Sequence, residues 1–192
     1  LTKKNNSDKY EYILPRIKLI KQIENKTNLN GNFSFVSNNL LRNYQTNIFE
    51  KTNINDLVFN SNPKISSYGF YNNYDFIIKN VNSDSQKSKN FKENENYYLS
   101  GLFQFNSSLP LMKEDDNLRK ILKPKITFKV SPNDTKDISN EENRIDVNNI
   151  YDLNRLSSDD TVEGGVSLTY GNDFTIFDKK NSRELFGFKI AN

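Results

Sequence analysis

Ile121-Leu122-Lys123-Pro124-Lys125-Ile126-Thr127-Phe128-Lys129-Val130-Ser131-Pro132 and, after a polar loop, Val162-Glu163-Gly164-Gly165-Val166-Ser167-Leu168-Thr169-Tyr170-Gly171 decide the fold. Pro124, Ile126, Phe128 and Val130 fall on one side of a period-two pattern, with Lys123, Lys125, Thr127, Lys129 and Ser131 on the other. The second stretch opposes Val162, Val166, Leu168 and Tyr170 to Glu163, Gly165, Ser167 and Thr169. Side chains alternate between faces in extended chain, so both stretches read as strands. A face this polar meets water. That suits one sheet of a soluble sandwich, or a membrane barrel with lipid outside and a wet lumen.

Outward from this pair, Tyr10 to Ile20 reads as a strand with Ile13, Pro15, Ile17 and Leu19 opposite Arg16 and Lys18. Pro15 cannot donate to a ladder and is expected at an edge, a bulge or a strand end. Asn25 to Gly31 is a turn cluster, followed by a strand over Asn32 to Asn38 carrying Phe33 and Phe35 on one face. Leu40 to Lys51 and Ile54 to Asn60 read as two more strands joined at Thr52-Asn53, with a short amphipathic helix over 40–49 as the alternative. Ile65 to Val81 reads as one strand, with Tyr68, Phe70, Tyr74, Phe76 and Ile78 against Tyr71, Asn73, Asp75, Ile77 and Lys79. Tyr68, Phe70, Tyr71 and Tyr74 would suit an interfacial aromatic girdle, although aromatics are common in any strand.

Asn82 to Asn96 and Asp134 to Asn149 are expected as long polar loops, and Met112 to Lys120 as a charged turn. Tyr97 to Leu111 alternates most cleanly, with Leu99, Gly101, Phe103, Phe105, Leu109 and Leu111 against Ser100, Gln104, Asn106 and Ser108. That run exceeds the ~9–11 residues that cross a bilayer at a tilt and the ~5–6 of an ordinary soluble strand. Asp173 to Phe177 and Leu185 to Ala191 form a final hairpin turned at Asp178-Lys179-Lys180-Asn181.

The totals agree with this outline. At 192 residues one core is the prior. Hydrophobic residues make up only 34%, yet aromatics reach 12% as Phe and Tyr without Trp, which a disordered chain would lack. Mean hydropathy is −0.80. A barrel with a polar lumen and long polar loops reconciles these values. The net charge of +3, from 27 basic and 24 acidic residues, gives no nucleic-acid surface. Neither Cys nor His occurs, which excludes disulfides, thiolate nucleophiles, His-based metal sites and His-dependent triads. No run of apolar residues is long enough for a transmembrane helix.

No catalytic constellation is present, and neither enzymatic activity nor a cofactor is expected. Glu114-Asp115-Asp116, Glu141-Glu142 and Asp159-Asp160 read as solvated loop charge rather than paired carboxylates or a calcium site. Asp146 to Asp152 lacks the Gly and the distal Glu of a calcium loop. Gly164-Gly165 is no phosphate cradle, since no Lys-Ser/Thr or helix follows; it would allow a bulge or close backbone approach as a strand begins. Arg16, Lys18, Lys123, Lys125 and Lys129 sit on polar faces. They could line a lumen and meet the phosphates and carboxylates of a glycolipid head group, or simply balance nearby acids in water.

The order Lys-Pro-Lys-Ile-x-Phe-x-Val-x-Pro, Asn-Arg-Leu-Ser, then Val-Glu-Gly-Gly-Val-x-Leu-x-Tyr-Gly resembles the C-terminal β-barrel of the LptD family, the lipopolysaccharide-assembly proteins of the outer membrane. In the resemblance Asn154 and Arg155 match the start of a loop motif, Asp160 a later aspartate, and Glu163-Gly164-Gly165 the start of the next strand. Ser158 stands where the family has Gly, and Thr161 where it has a second Arg. The resemblance implies an all-β fold: an antiparallel transmembrane β-barrel segment of roughly eight to ten strands with long polar loops. Residues 1–192 would be one part of a single outer-membrane barrel domain, cut from a larger barrel at both ends and without the N-terminal periplasmic domain.

It implies, further, lipopolysaccharide transport into the outer leaflet of a Gram-negative outer membrane. The partners would be an LptE-like plug lipoprotein, lipopolysaccharide, the periplasmic bridge components and outer-membrane lipid. Arg155 is expected to pair with Asp160 or Glu163. The competing readings are another outer-membrane barrel, porin or receptor, and a soluble all-β binding module.

Overall fold

The computed structural model describes residues 12–44, 48–134, 136–137, 144–156 and 158–192. The described residues form ten strands and turns, with no helix: β1 (Tyr12–Ile23), β2 (Gly31–Tyr44), β3 (Ile48–Ser61), β4 (Lys64–Ile65), β5 (Tyr71–Gln86), β6 (Asn96–Ser108), β7 (Leu111–Glu114), β8 (Leu118–Ser131), β9 (Gly165–Asp178) and β10 (Glu184–Ala191). They make one antiparallel sheet in the order β1-β2-β3-β5-β6-β8-β9-β10, with β4 on β5 and β7 on β8. Each long strand therefore pairs with the next long strand in the chain. The sheet is open, with β1 and β10 at its edges.

Breaks in the strands have local causes. Leu111 pairs with Leu122 in the register that already sets Ser108 against Lys125, so β7 continues β6 along β8. The backbone N–H of Leu109 still donates to Pro124 O at 3.1 Å, and the ladder lapses at Pro110, which has no N–H. The clean alternation over Tyr97 to Leu111 is thus one extended run that reaches Glu114, and the charged turn shrinks to Asp115–Asn117, closed by Asp115 N–H on Leu118 O. Gly69, at φ +85°, lets residues 66–70 turn β4 back onto β5, where the sequence suggested a single strand from Ile65.

Two other boundaries move for one reason. Leu40 lies within β2, which runs to Tyr44, and β3 passes from Ile48 straight through Thr52-Asn53; residues 45–47 lie outside the described residues. Likewise β5 runs on through the expected loop as far as Gln86. In both places the polarity belongs to a polar patch of the sheet. Asn53 donates to Asn39, and Asn82 donates to Asn53 and Asn80 (2.5, 2.9 and 2.7 Å). β9 is likewise continuous from Gly165 to Asp178 rather than broken after Gly171. The expected strand start at Tyr10 and Glu141-Glu142 also lie outside the described residues.

The register sorts side chains into two faces. One carries Asp75, Ile77, Lys79, Val81, Ser83 and Ser85 of β5, with Ser100, Leu102 and Gln104 of β6 beside them, and Thr127, Lys129 and Thr169 further along. The other carries Phe103, Phe105, Ile126, Phe128, Val166, Leu168 and Tyr170. Over β6, β8 and β9 burial is the inverse of a soluble sheet, while on β3 the same apolar face buries Phe59 against Phe33 and Phe76. Gln104, Thr127 and Lys129 are each 2% exposed, whereas Phe103, Phe128 and Leu168 are 38%, 40% and 59% exposed. A small apolar core of Ile77, Leu102 and Val162, with Val58 and Leu153 against it, also lies on the polar side.

Candidate functional site

The polar face is covered by the connection between β8 and β9. Besides Tyr98, whose hydroxyl donates to Asp134 O at 3.4 Å, three sheet side chains reach its backbone among the described residues. Lys79 Nζ donates to Asp159 O at 2.7 Å, Gln104 Nε2 to Tyr151 O at 3.0 Å, and Lys129 Nζ to Asp152 O. Backbone carbonyls in a loop need donors once water is excluded, and long polar side chains on a sheet supply them. Lys79 also pairs with Asp56 at 2.7 Å, so its charge is met from both loop and neighbouring strand. Val162, fully buried, anchors the far end of the loop between Ile77 and Leu102. The sequence placed Val162 on the apolar face with Val166. The structure moves it to the other side, because β9 begins only at Gly165, whose φ of +81° reverses the chain. No atom lies within 4 Å of a Cβ built there, so backbone conformation rather than space favours glycine.

The loop residues singled out by sequence hold one another. Arg155 Nε donates to Glu163 Oε2 at 2.7 Å, Nη2 to Oε1, and Nη2 to Ser167 Oγ at 3.2 Å. Their side chains are largely buried, and the two parallel bonds fit guanidinium to carboxylate geometry. Of the two expected partners of Arg155, the structure selects Glu163. Asp160 pairs instead with Lys136, whose ammonium also lies 5.0 Å from the Phe91 ring centroid. Asn154 closes the same turn: its amide donates to Thr161 O at 3.2 Å and its oxygen accepts Glu163 N–H at 3.3 Å. Thr161, at the position where the resemblance led to an arginine, is fully buried and donates to Val162 O.

The five cations share the polar face, with different surroundings. Arg16 and Lys18 on β1 are exposed, and Lys123 is half-buried. Lys125 pairs with Asp173 and lies 5.1 Å from the Tyr151 ring centroid. Lys129 is buried under the loop and occupied by Asp152 O, so it is not a free cation. Tyr151 fits because residue 171 is glycine: a Cβ there would strike the phenol oxygen and Ile190 O. Burial, with the Asp173 carboxylate nearby, raises the Tyr151 phenol above its ordinary pKa. The acids Glu114 and Asp115, expected as solvated charge, are ion-paired to Arg119 and Lys120 at 2.7 Å. Asp146 Oδ1 accepts the N–H of Asn148 at 2.7 Å, which makes that segment a local turn.

The polar face presents charge and amides to one side, and on the other side the apolar residues of β6, β8 and β9 are largely exposed. The sequence missed the lysine contacts to loop carbonyls, because period two gives a face but not what covers it. Neither a known protein family nor a curated protein matches the chain.

Proposed function

We propose that this chain is a barrel segment of an outer-membrane protein of the LptD type, which carries lipopolysaccharide to the outer leaflet. One observation carries the membrane part: large apolar side chains stand bare on one face while lysine, glutamine and threonine are buried on the other. Water would penalise that surface at about 25 cal/mol per Å², whereas hydrocarbon would accept it. A soluble module would bury Phe103, Phe105, Ile126, Phe128 and Leu168, and they are exposed. On this proposal β1 and β10 pair with further strands to close the barrel, since open edges do not persist in lipid.

The LptD part rests on the loop motif. Asn154, Arg155 and Glu163, matched by the resemblance, bond to one another and set the loop against the polar face. A lumen so lined would receive the saccharide and the LptE-like plug, while acyl chains pass directly into lipid. Energy and delivery would come from the periplasmic bridge. Depleting the parent protein in cells should leave newly made lipopolysaccharide off the surface. Unchanged surface lipopolysaccharide, with slower entry of small solutes, would instead identify a porin.

A further inference from the structure

The apolar face is interrupted by two rows of amides. In register across the sheet, Ile17, Asn39, Asn53, Asn82 and Tyr97 form one row, and Leu19, Ser37, Asn55, Asn80 and Leu99 the next. By the strand pattern the central positions should be apolar like those at the row ends. Instead they are cross-linked. Asn39 donates to Ser37 at 3.2 Å, Asn53 to Asn39 at 2.5 Å, and Asn55 to Asn53 at 2.6 Å. Asn82 bridges Asn53 and Asn80 at 2.9 and 2.7 Å. These bonds lock the amide planes.

They also leave capacity unused. A carboxamide has two donors and an oxygen with two lone pairs. Among the described residues the oxygens of Asn55 and Asn82 take no part in the ladder, and Asn80 contributes only its oxygen. Over the ladder lies a depression of about 290 Å³, at the small end of ligand-sized clefts. Asn39, Asn53 and Asn82 line it. Lys51 and Asp84, opposite each other in register, also line it, with Glu95 and Tyr97. Tyr97 is 73% exposed, so its ring faces are open.

We propose that this depression is a saccharide-binding site on the outward face of the sheet. Uncharged donors and acceptors alternating on a fixed plane match ligands whose hydroxyls both donate and accept. An exposed phenol ring offers a face to the C–H side of a pyranose. One lysine against two carboxylates disfavours a phosphate or other anion. The site lies beside the apolar surface, so a glycolipid head group can reach it while its acyl chains stay in lipid. This last step rests on the membrane proposal; the affinity for sugar does not.

The test uses the 192-residue chain refolded in a sugar-free amine-oxide detergent. The probes are a neutral oligosaccharide (maltohexaose), intact lipopolysaccharide in mixed micelles, lipid A and inorganic phosphate. The oligosaccharide should bind saturably and shift the side-chain amide resonances of Asn53 and Asn82. Asn53→Leu and Asn82→Leu, which extend the apolar pattern, should each weaken it at least about tenfold, and Tyr97→Ala, outside the ladder, should do the same. Lys180→Ala, in the exposed turn between β9 and β10, should leave it unchanged.

Tighter binding of intact lipopolysaccharide would identify a lipid-linked head group, and equal binding a site for sugar alone; both support the site. No saturable binding by folded protein, or equal binding of lipid A or phosphate, overturns it. So does binding that Tyr97→Ala and the leucine variants leave untouched, which would make the ladder structural only. No saccharide binding by the unaltered chain, together with lipopolysaccharide export that fails on depletion, sinks this site alone. Retained binding with export unaffected by depletion sinks the transport proposal alone.

Discussion

Replacing Leu168 separates lipid from water as the surroundings of the apolar face. Its side chain is 59% exposed, flanked along β9 by Val166 and Tyr170 and across the ladder by Phe128. Full burial of a leucine is worth about 1.5–3 kcal/mol. With 59% already uncovered, truncation to alanine can remove at most about 1 kcal/mol of that. In water Leu168→Arg should cost no more than Leu168→Ala, because the arginine stem recovers contact and the charge stays hydrated. In a bilayer the two diverge, since an arginine facing hydrocarbon near the midplane costs about 2–4 kcal/mol. Equilibrium unfolding in guanidinium of chain inserted in phospholipid vesicles measures both variants, with Ile126→Arg as a second depth marker. The expected gap between arginine and alanine is about 2 kcal/mol or more at the deeper site. A gap below about 0.5 kcal/mol at both positions, or a folded monomer in plain buffer, would refute the lipid-facing assignment.

Arg155→Ala strands the buried Glu163 carboxylate and should cost about 3 kcal/mol or more; the double variant with Glu163→Ala should recover much of that loss in a thermodynamic cycle, whereas additive losses would deny the pair. Lys129→Met removes the ammonium beneath Asp152 O, and an uncapped buried carbonyl costs about 1–3 kcal/mol; amide exchange over residues 149–156 should rise with the strands unaffected. Gly171→Ala should destabilise by about 1–3 kcal/mol through collision with Tyr151 and Ile190; Tyr151→Phe in the same chain, read by thermal unfolding, should restore part of it.

Period two carried most of the fold. Thr127, Lys129 and Ser131 against Ile126, Phe128 and Val130 gave β8 and its two faces directly, and β6 and β9 followed by the same rule. Boundaries failed where polarity had another source. Thr52-Asn53 and Asn82 look like turn residues because Asn favours turns, and only the neighbouring strands reveal Asn53 and Asn82 as rungs of an amide ladder. Arg155 and Glu163 were legible as partners from charge and proximity. Lys129 was not legible as a buried donor, because its acceptor is a backbone carbonyl, which carries no sequence signal. Val162 was misassigned because a glycine at positive φ changes the face between adjacent apolar residues.

The amide rows also bear on how the sheet would sit in a bilayer. β3, β8 and β9 each run 14 residues. At ~3.3 Å per residue such a strand is about 46 Å long, and tilted by ~40° it rises about 35 Å. The hydrocarbon layer is ~30 Å thick, so in a bilayer these strands would overreach it and their ends would meet a polar medium. On β2, β3 and β5 the outward face changes from Phe35, Leu57 and Ile78 to Ser37, Asn55 and Asn80, three pairs of positions that lie on adjacent rungs of one register. Three separated stretches of sequence thus change character along one line of the sheet. Chance polarity in an Asn-rich chain would scatter such transitions, and a one-residue slip of any strand would turn its amides to the opposite face. The change is confined to β2, β3 and β5, since Leu19 of β1 and Leu99 of β6 keep the ends of the same rung apolar, and it makes the saccharide site a polar inlet within the apolar face.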